Sequence, residues 1–566
     1  MRKQTKLVAV LSTAALLAIG ASMTSFAAQG WAEEDGTWVY YDRNGDRVTD
    51  KWAKSGNNWY YLDSDGEMAI DTLIEDGDNY YYVDINGVMA SNQWVAIDNE
   101  DAGEDDEPEH YWYYFQANGK ALKNSGDNIA LKTVNGKKYA FDDEGKMLYG
   151  WVAADNAERI DNTDGDAFKD GVYYFGGEDD GAMTVGWLQM DITYDEATND
   201  YEIAPVFNDD EDQSRWFYFK SNGKKVQSDS SDDTKEKTIN GKKYAFDQYG
   251  AMVAEWSLDI AKATANLGTN STSAVEKTGN SAQYSKAWRY FNSVEDGARV
   301  SKGWFKVVAA EYLNEGKYND DEDAWYYADG SGNLYAGEFK TIKGKKYAFR
   351  NDGRMVNGLK FIKEDGMDVR ADDSEYAFDT EDDFIESASK YYNKNEFLCY
   401  YFGDGEDGAM KTNKTNITID GDNFNFYFEK SGSKKGSGVN GEKDDKYYLA
   451  GMLLKAGSDD KYQAIEKVEE NEVETWVKLA DAQAVIKKFN LTSDTDRIKD
   501  AKDAATSFNK KADDLKELYI LPPNNGLKLI NTSGKVIDKK GKSKDGNDYV
   551  YVTDNKGVIR VIYVED

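Results

Sequence analysis

The chain has 566 residues and a formal net charge of −36, because 105 Asp and Glu side chains outnumber 69 Lys and Arg side chains. Nucleic-acid binding depends on clustered Lys and Arg, so this balance excludes it. A chain with one Cys cannot form a disulfide framework. The single histidine, His110, cannot build the ligand sets of a zinc hydrolase, and we predict neither a metal site nor a cofactor.

Residues 1–27 are predicted to form a secretory signal peptide. Arg2, Lys3 and Lys6 precede an apolar run from Leu7 to Ile19, and Ser25-Phe26-Ala27 has the small-x-small pattern of a cleavage site. The apolar run is too short for a stable bilayer span, and we find no second run of that kind. We therefore expect cleavage after Ala27 and an exported chain without a membrane span.

From Trp38 onward, an aromatic motif that ends in a turn glycine recurs along the chain. Its first three copies are about 21 residues apart, a period typical of solenoid arrays. A longer period of about 100 residues is superimposed, because GKKYAF recurs at Gly136, Gly241 and Gly344. Aligned on the turn glycine, the copies are WVYYDRNG (38–45), WYYLDSDG (59–66), YYYVDING (80–87), WYYFQANG (112–119), KYAFDDEG (138–145), WFYFKSNG (216–223), KYAFDQYG (243–250), WYYADGSG (325–332) and KYAFRNDG (346–353).

Each copy predicts a β-hairpin. Aromatic and β-branched residues favour strands, and the Asp- and Asn-rich link that ends in Gly supplies the positive φ of a tight turn. Links such as DSDG (63–66) do not complete the pattern of an EF-type calcium loop, which has acids at alternate positions, then Gly and a distant Glu, so we interpret them as turns. Stacked hairpins bury a continuous core, which one hairpin alone does not. The predicted fold is all-β, a repetitive solenoid of β-hairpins with long acidic loops.

The segment from Ser458 to Leu521 breaks this pattern and predicts a small α-helical insertion near the C-terminus. We expect a helix that starts after Ser493 and ends before Pro522, and a shorter helix over Val473–Phe489. Cys399 is interpreted as a strand residue. The helical stripe, with spacings of three and four, consists of Ile498, Ala501, Ala505, Phe508, Ala512, Leu515 and Tyr519.

Comparison of the repeats indicates different tasks for the two faces of each hairpin. Side chains alternate along a strand, so the first and third residues of WYYL share one face and the second and fourth share the other. In the KYAF copies the second and fourth positions stay aromatic, whereas the first and third become Lys and Ala. Tyr60 and Leu62 are therefore expected to pack in the core. Many of the hairpins are opened by a Trp or apolar residue that precedes the motif, which is Trp52 for this copy. Trp59 and Tyr61, together with this opening residue, either pack between repeats or bind a ligand by sugar stacking or cation–π attraction.

These residues resemble the cell-wall-binding repeats of secreted Gram-positive proteins, the choline-binding and glucan-binding type, and also the related repeats of clostridial toxins. The family pattern is close to GW-x₄-G-x-WYY-F/L-x₃-G-x-M, which reads here from Lys51-Trp52 through Gly66 to Met68. The likeness extends from Gly30 to about Gly457, with gaps, and returns weakly after Gly526. It implies a left-handed solenoid with ligand pockets where consecutive hairpins meet.

The resemblance also implies which rings bind the ligand, a choline-bearing teichoic acid, a glycan or another wall polymer. The best-matched pocket would use Trp52, Trp59, Tyr61 and Met68, with Tyr80 and Tyr82 from the next hairpin. The other candidate sets are Trp31, Trp38 and Tyr40; Trp94, Trp112 and Tyr114; Trp187, Trp216 and Tyr218; and Trp304, Trp325 and Tyr327.

Four segments follow from these predictions: a signal peptide (1–27), a hairpin array (28–457), a helical insertion (458–523) and degenerate repeat strands (524–566). The favoured function is a non-catalytic, secreted protein, non-covalently associated with the wall, that binds a wall polymer or related polysaccharide through many weak sites. An adhesin or toxin-like module for host glycans or receptors is the alternative. A wall hydrolase is less favoured, because the helical segment is too small for a usual catalytic domain.

Overall fold

The computed structural model describes residues 29–104, 107–192, 213–230, 233–268, 281–370, 378–392, 397–470 and 473–566. The predicted signal peptide lies outside these residues. The chain divides into two compact units, the first comprising Met1–Ala197 and Glu211–Val226, and the second Thr198–Asp210 and Gln227–Asp566. Within the described parts of both units, no helix is both long and apolar enough to cross a bilayer.

In its described residues, the first unit consists of antiparallel two-stranded hairpins, each formed by consecutive strands. The all-β hairpin fold predicted from the repeats is thus confirmed. The strands are β1 (Gly30–Glu34), β2 (Thr37–Tyr41), β3 (Lys51–Ser55), β4 (Asn58–Leu62), β5 (Thr72–Asp76), β6 (Asn79–Val83), β7 (Gln93–Asp98), β8 (His110–Phe115), β9 (Lys132–Val134), β10 (Lys137–Tyr139), β11 (Trp151–Val152), β12 (Tyr173–Tyr174), β13 (Gly186–Ile192) and β14 (Gln213–Phe219).

The second unit begins with four more hairpins and continues into larger antiparallel sheets. The hairpin strands are β15 (Lys235–Ile239), β16 (Lys242–Phe246), β17 (Glu255–Leu258), β18 (Trp288–Phe291), β19 (Gly303–Val307), β20 (Ala324–Ala328), β21 (Glu338–Ile342) and β22 (Lys345–Phe349). The later strands are β23 (Leu359–Lys363), β24 (Asp368–Arg370), β25 (Leu398–Tyr401), β26 (Asn413–Ile419), β27 (Asp422–Phe428), β28 (Gly441–Lys443), β29 (Lys446–Leu449), β30 (Met452–Leu453), β31 (Tyr462–Glu470), β32 (Val473–Lys478), β33 (Leu515–Ile520), β34 (Lys528–Asn531), β35 (Gly541–Lys544), β36 (Tyr549–Thr553) and β37 (Ile559–Glu565).

Four sheets follow the hairpins of the second unit, and strands of the first three contribute to one apolar core, which includes Phe361, Phe426 and Ile465. The strand orders are β24-β23-β25, β26-β27-β30-β29-β28, β32-β31-β34 and β33-β37-β36-β35. Cys399 is fully buried in β25, as its interpretation as a strand residue requires, and burial raises the pKa of its thiol.

Helices are short and lie between strands of the second unit. They are α1 (Ile260–Leu267), α2 (Ala282–Ser285), α3 (Glu315–Asn319), α4 (Glu381–Tyr392), α5 (Ala482–Lys488), α6 (Ile498–Ala504) and a 3₁₀ turn at Ala512–Asp514. The sequence pattern did not predict the first four. Asp259 caps α1 by accepting a hydrogen bond from the Lys262 N–H, a local signal that such a prediction could have used.

The predicted helices of the C-terminal insertion are only partly correct. The expected Val473–Phe489 helix is a strand over Val473–Lys478, and the helix α5 begins after Asp481, whose side chain caps it. The longer helix ends at Ala504, and Leu515–Ile520 forms a strand that pairs with β37. Ser493 does not cap a helix, because its hydroxyl accepts from the N–H of Leu518 in that strand. Tertiary pairing has overridden a local apolar spacing that both structures can satisfy.

The hairpins whose strands are joined by a short link use two kinds of turn. The tight turn precedes the aromatic strand, as at Asp35-Gly36, where both residues have positive φ (50° and 88°). The Asp-x-x-Gly link, which the sequence suggested as the hairpin turn, follows that strand and leads into a single bridge between Leu62 and Met68. Asp63 stabilises this second turn, because its Oδ1 accepts from the N–H groups of Asp65 (3.0 Å) and Glu67 (2.8 Å). The interpretation of these acids as turn residues is confirmed, although the hairpin turn lies elsewhere.

One backbone hydrogen bond joins many of the described hairpins to the next. The N–H of Met68, just after the second hairpin, donates to the carbonyl of Trp38 in the first (2.7 Å), and Met89 donates to Trp59 in the same way (2.9 Å). The donor and acceptor occupy equivalent places in every case. Further examples are Ala121 to Tyr80, Met147 to Trp112, Met183 to Lys138, Arg299 to Lys243, Met355 to Trp325 and Met410 to Lys346.

The residue whose N–H donates this bond also packs its side chain on the turn glycine of the next hairpin. A Cβ added to Gly87 would lie 2.9 Å from both Sδ and Cε of Met68, and one added to Gly119 would lie closer still to Met89. Both glycines also have positive φ (73° and 79°). The turn glycine of the repeat is therefore needed for its conformation and for the space it leaves to a neighbouring methionine.

We predict that Gly119→Ala destabilises the chain more than Gly77→Ala. Both glycines have positive φ, but a Cβ at Gly77 meets no atom within 4 Å, whereas at Gly119 it overlaps Met89. The extra cost should be about 1–3 kcal/mol, typical of overpacking. Urea unfolding followed by tryptophan fluorescence measures it. Equal losses would contradict the packing argument, whereas recovery in Gly119→Ala/Met89→Ala relative to Met89→Ala alone would support it.

A second prediction concerns pH. Burial raises the pKa of Asp142 from 3.8 to about 6, although its Oδ1 accepts hydrogen bonds from two backbone N–H groups of its turn. At a pH between 3.8 and about 6, Asp142 is protonated in the folded chain but ionised in the unfolded chain. The fold therefore loses stability as the pH rises through this range. Asp142→Asn keeps the acceptor oxygen without the charge. Its free energy of unfolding, relative to wild type, should increase from pH 4 to pH 7 by up to about 3 kcal/mol.

Urea unfolding at both pH values tests this expectation. Asp142→Ala is the control, because it removes the acceptor and should destabilise the chain at both. A wild-type-to-Asn difference that stays the same at pH 4 and pH 7 would show that Asp142 is not the group responsible.

Candidate functional site

An aromatic cleft forms where the second hairpin meets the third. Trp52 of β3 pairs across the strand with Tyr61 of β4, and the two rings meet nearly edge to face, with centroids 5.2 Å apart. Tyr81 of β6 approaches Trp52 from the next hairpin, at 5.0 Å. All three side chains are partly exposed. The cleft is therefore bounded by rings from two hairpins, and the hydrogen bond between the hairpins sets their spacing.

The same contact recurs between the first two hairpins. Trp31 lies 5.3 Å from its cross-strand partner Tyr40 and 5.2 Å from Tyr60 of the following hairpin. Tyr60 is 9 % exposed and Leu62 is fully buried, as strand alternation predicts, whereas Trp59 is 40 % exposed. Tyr60 therefore belongs to the core and also forms one wall of the cleft.

Two further clefts lie beside KYAF hairpins. Trp94 contacts Tyr114 (5.1 Å) and, in the following KYAF unit, Tyr139 (4.9 Å) and Phe141 (5.9 Å). Trp304 of β19 repeats this arrangement with Tyr327 (5.0 Å), Tyr347 (4.9 Å) and Phe349 (5.8 Å). The KYAF units lack first- and third-position rings, yet their second-position tyrosines complete the clefts of the hairpins before them.

Carboxylates surround these rings. Asp76 accepts a hydrogen bond from Nε1 of Trp52 (3.1 Å), and Asp179 accepts from Nε1 of Trp112 while also contacting Nε2 of His110 (both 3.1 Å). Asp179 belongs to the acidic turn GGEDDG (176–181). In the equivalent turn at 403–408, Glu406 pairs with Lys306, the cross-strand neighbour of Trp325 (2.6 Å). The acidic turns, to which the sequence assigned no role, thus lie at the edges of two clefts.

The carboxylates also affect the tyrosines. Burial raises the pKa of Tyr61 above its usual range, and the negative charges of Asp50 and Asp76 raise it further. Burial and Asp407 raise the pKa of Tyr347 in the same direction. The phenols therefore stay neutral at physiological pH, and the negative potential that suppresses their ionisation favours a cation in the same place.

One ring cluster is already filled by a cation of the chain itself. Trp151 is 3 % exposed and contacts Tyr174 (5.1 Å) and Phe217 (5.6 Å), as in the open clefts. The ammonium of the buried Lys225 lies over the Trp151 ring, 5.1 Å from its centroid. This geometry is that of a cation–π contact.

Other equivalent contacts are closed in different ways. Trp256 meets Tyr290 (5.2 Å) and Tyr326 (5.0 Å), but Phe305 and fully buried neighbours cover them. Where the opening residue is not Trp, the same contact is an ion pair or another pair of rings. Glu236 pairs with Arg289 of the next hairpin (3.0 Å), and Phe339 packs on Tyr400 (5.3 Å).

The remaining predicted rings occupy other places. Tyr80 and Tyr82 do not contact Trp52; they pack with Leu73 and Tyr113 at the next junction, and the hydroxyl of Tyr82 donates to Asp71. Met68 lies over Gly87. The tryptophans at the first position of the motif lie on the same face as the third-position tyrosines; they are Trp38, Trp59, Trp112 and Trp325. Trp187 contacts Tyr218 (5.1 Å) and Trp216 (6.1 Å) within its own hairpin.

Sequence reasoning found the opening tryptophans and third-position tyrosines but missed the second-position rings, namely Tyr60, Tyr81, Tyr139 and Tyr347. The signal available was that this position is aromatic or apolar in most copies, which was interpreted as core packing alone. Lys225, Asp179 and Glu406 had no such signal, because each reaches its cluster from another repeat.

These features define a class: a β-hairpin repeat protein with aromatic clefts between successive hairpins. The family described as "choline-binding repeat" matches residues 28–72 and 48–94. The resemblance seen in the sequence is thus confirmed, and residues 28–94 are similar to repeats of the choline-binding type.

Two curated relatives are glucosyltransferases. Glucosyltransferase-S of Streptococcus mutans serotype c is 24 % identical over 256 residues, which cover 45 % of this chain and 12 % of that protein. Glucosyltransferase-I of Streptococcus downei is 25 % identical over 311 residues, or 53 % of this chain and 16 % of the relative. The alignments thus span less than a fifth of either relative.

Among solved structures, the modular autolysin LytC of Streptococcus pneumoniae is 20 % identical, with 59 % of this chain and 54 % of LytC covered and a TM-score of 0.30. Choline binding protein F of the same organism is 15 % identical, with 76 % of this chain and all of that chain covered and a TM-score of 0.21.

Proposed function

We propose that this chain is a secreted, non-catalytic protein that binds the bacterial cell wall by holding quaternary ammonium groups of a choline-bearing polymer in its inter-hairpin clefts. The proposed sites are centred on Trp31, Trp52, Trp94 and Trp304. Each uses the cross-strand tyrosine and the second-position tyrosine of the next hairpin, with the first-position tryptophan at its rim. The likeness of residues 28–94 to choline-binding repeats supports this ligand.

The observation that carries the proposal is the Lys225 ammonium on the ring of Trp151. The same cluster geometry, an opening Trp with one ring from its own hairpin and one from the next, already holds a cation there, which also donates a hydrogen bond to the carbonyl of Phe168. Where no lysine of the chain fills the cluster, a soluble cation can take the same position. A trimethylammonium group suits such a site, because it is a cation with an apolar surface that rings can contact closely.

Electrostatics and repetition support the same conclusion. Asp76 lies beside the Trp52 cleft and Asp179 beside the first-position ring of the Trp94 hairpin, in a chain of net charge −36. Each cleft by itself is expected to be weak. Four clefts on one chain would bind a polymer with repeated ammonium groups by avidity.

We assign no catalytic role to the carboxylates near the clefts. Asp63 and its equivalents accept hydrogen bonds within their own turns, and Asp76 and Asp179 hold indole N–H groups. A glucose polymer is the second candidate ligand, because the two curated relatives are named as glucosyltransferases and flat rings also stack on sugars.

Choline titration of the full chain should separate cleft tryptophans from others. Trp304→Ala should weaken binding at that cleft about 2- to 30-fold, the range that cation–π contacts supply. Calorimetry or tryptophan fluorescence gives the number and affinity of sites. Trp476→Ala is the matched control, because Trp476 is also partly exposed but pairs with Tyr447 (4.4 Å) beneath the ammonium of Lys528. Equal effects of the two substitutions would contradict a cleft-specific site.

Retention on purified wall sacculi tests the biological ligand. We expect the chain to bind choline-bearing sacculi and to be released by free choline but not by soluble glucan. Trp59→Ala should weaken retention, since this exposed ring lies on the cleft face. Release by glucan alone would establish sugar stacking instead. Absence of retention would favour the adhesin alternative, in which the polymer belongs to a host.

A further inference from the structure

A groove of about 320 Å³ lies on the five-stranded sheet of the second unit. Strands β26, β27, β29 and β30 form its base, and the turn after β34 forms one wall. Phe426, Tyr448 and Leu453 supply an apolar floor. The groove is separate from the clefts, since no opening tryptophan lines it.

Three lysines line this groove, and none of its lining residues is acidic. The residues are Lys414, Lys446 and Lys455, in a chain where acids outnumber bases by 105 to 69. Three ammonium groups without a carboxylate in one concavity create a local positive potential within an otherwise acidic field.

The chain neutralises these charges poorly. Lys446 donates to the backbone carbonyl of Ser533 (2.9 Å), and Lys414 lies 4.0 Å from Asp444, with both side chains more than half exposed. Such an exposed pair contributes little. Lys455 is half-buried and has no ion pair with any residue that the structure describes. The lysines therefore keep most of their capacity to bind an anion.

Neutral donors complete the lining. Asn416 and Asn425 face each other across β26 and β27, and Ser533 and Thr532 come from the turn. Amide and hydroxyl groups next to an apolar floor suit a sugar ring, while the ammonium groups suit an oxyanion. Lysine binds phosphate as a point charge, and three lysines line the groove.

We propose that this groove binds a sugar phosphate. Its volume is that of a small-molecule site and exceeds what a bare phosphate ion would fill. This inference does not depend on the clefts. If both are correct, the chain binds a polymer through its cationic substituents and through its phosphate groups at different places.

The test titrates the full chain with glucose 6-phosphate, glucose and inorganic phosphate by calorimetry. We expect glucose 6-phosphate to bind most tightly, with an affinity that falls as salt is raised from 50 to 300 mM. Lys455→Gln should weaken it about tenfold, the scale of one charge-assisted contact, and Lys455→Arg should restore most of the loss. Lys556→Gln, at an exposed turn lysine outside the groove, is the matched control and should have no effect.

Equal affinity for glucose 6-phosphate and glucose would overturn the anion site, and equal affinity for inorganic phosphate would overturn the sugar part of it. An unchanged affinity in Lys455→Gln would also overturn the assignment. Trp304→Ala should leave glucose 6-phosphate binding unchanged while choline binding falls. Failure of the groove can thus be told apart from failure of the clefts.

Discussion

The hydrogen bond between successive hairpins is the constraint on which the rest of the array depends. A two-stranded hairpin is marginal alone, and each of these buries its rings only against the next one. The bond from Met68 to Trp38, and its equivalents, fixes the stagger between hairpins. That stagger brings the opening residue of one hairpin against the second-position residue of the next. Core, cleft and turn packing all follow from this single register.

Because of this register, the second-position ring has two roles. Tyr60 is buried as a core residue, yet its edge also faces Trp31. A substitution there would disturb stability and ligand binding together. The first-position Trp59 is less coupled to the fold, as its 40 % exposure indicates. A substitution there can therefore change a ring of the proposed cleft with less effect on the core.

The sequence predicted what depends on local periodicity. Alternation placed Tyr61 on the side of Trp52 and Leu62 in the core, and the turn acids were interpreted correctly. It did not predict Tyr81 against Trp52, because that contact depends on the stagger between repeats. Lys225 on Trp151 joins segments far apart in the chain, and no local pattern marks it. The strand at Leu515–Ile520 was predicted as helix for a similar reason, since its pairing partner β37 lies distant in sequence.

The contact between opening and second positions tolerates different chemistries, and this separates folding from binding. It is a Trp–Tyr ring contact at Trp304 and Tyr347, a Phe–Tyr ring contact at Phe339 and Tyr400, and an ion pair at Glu236 and Arg289. All three join consecutive hairpins, so the array needs a contact there but not a particular one. The ionic version offers no ring face to a cation, whereas the ring of Phe339 lies beneath the ammonium of Lys346 (4.4 Å). If the clefts bind as proposed, the number of sites depends on how many junctions carry an open tryptophan, whereas the length of the array does not.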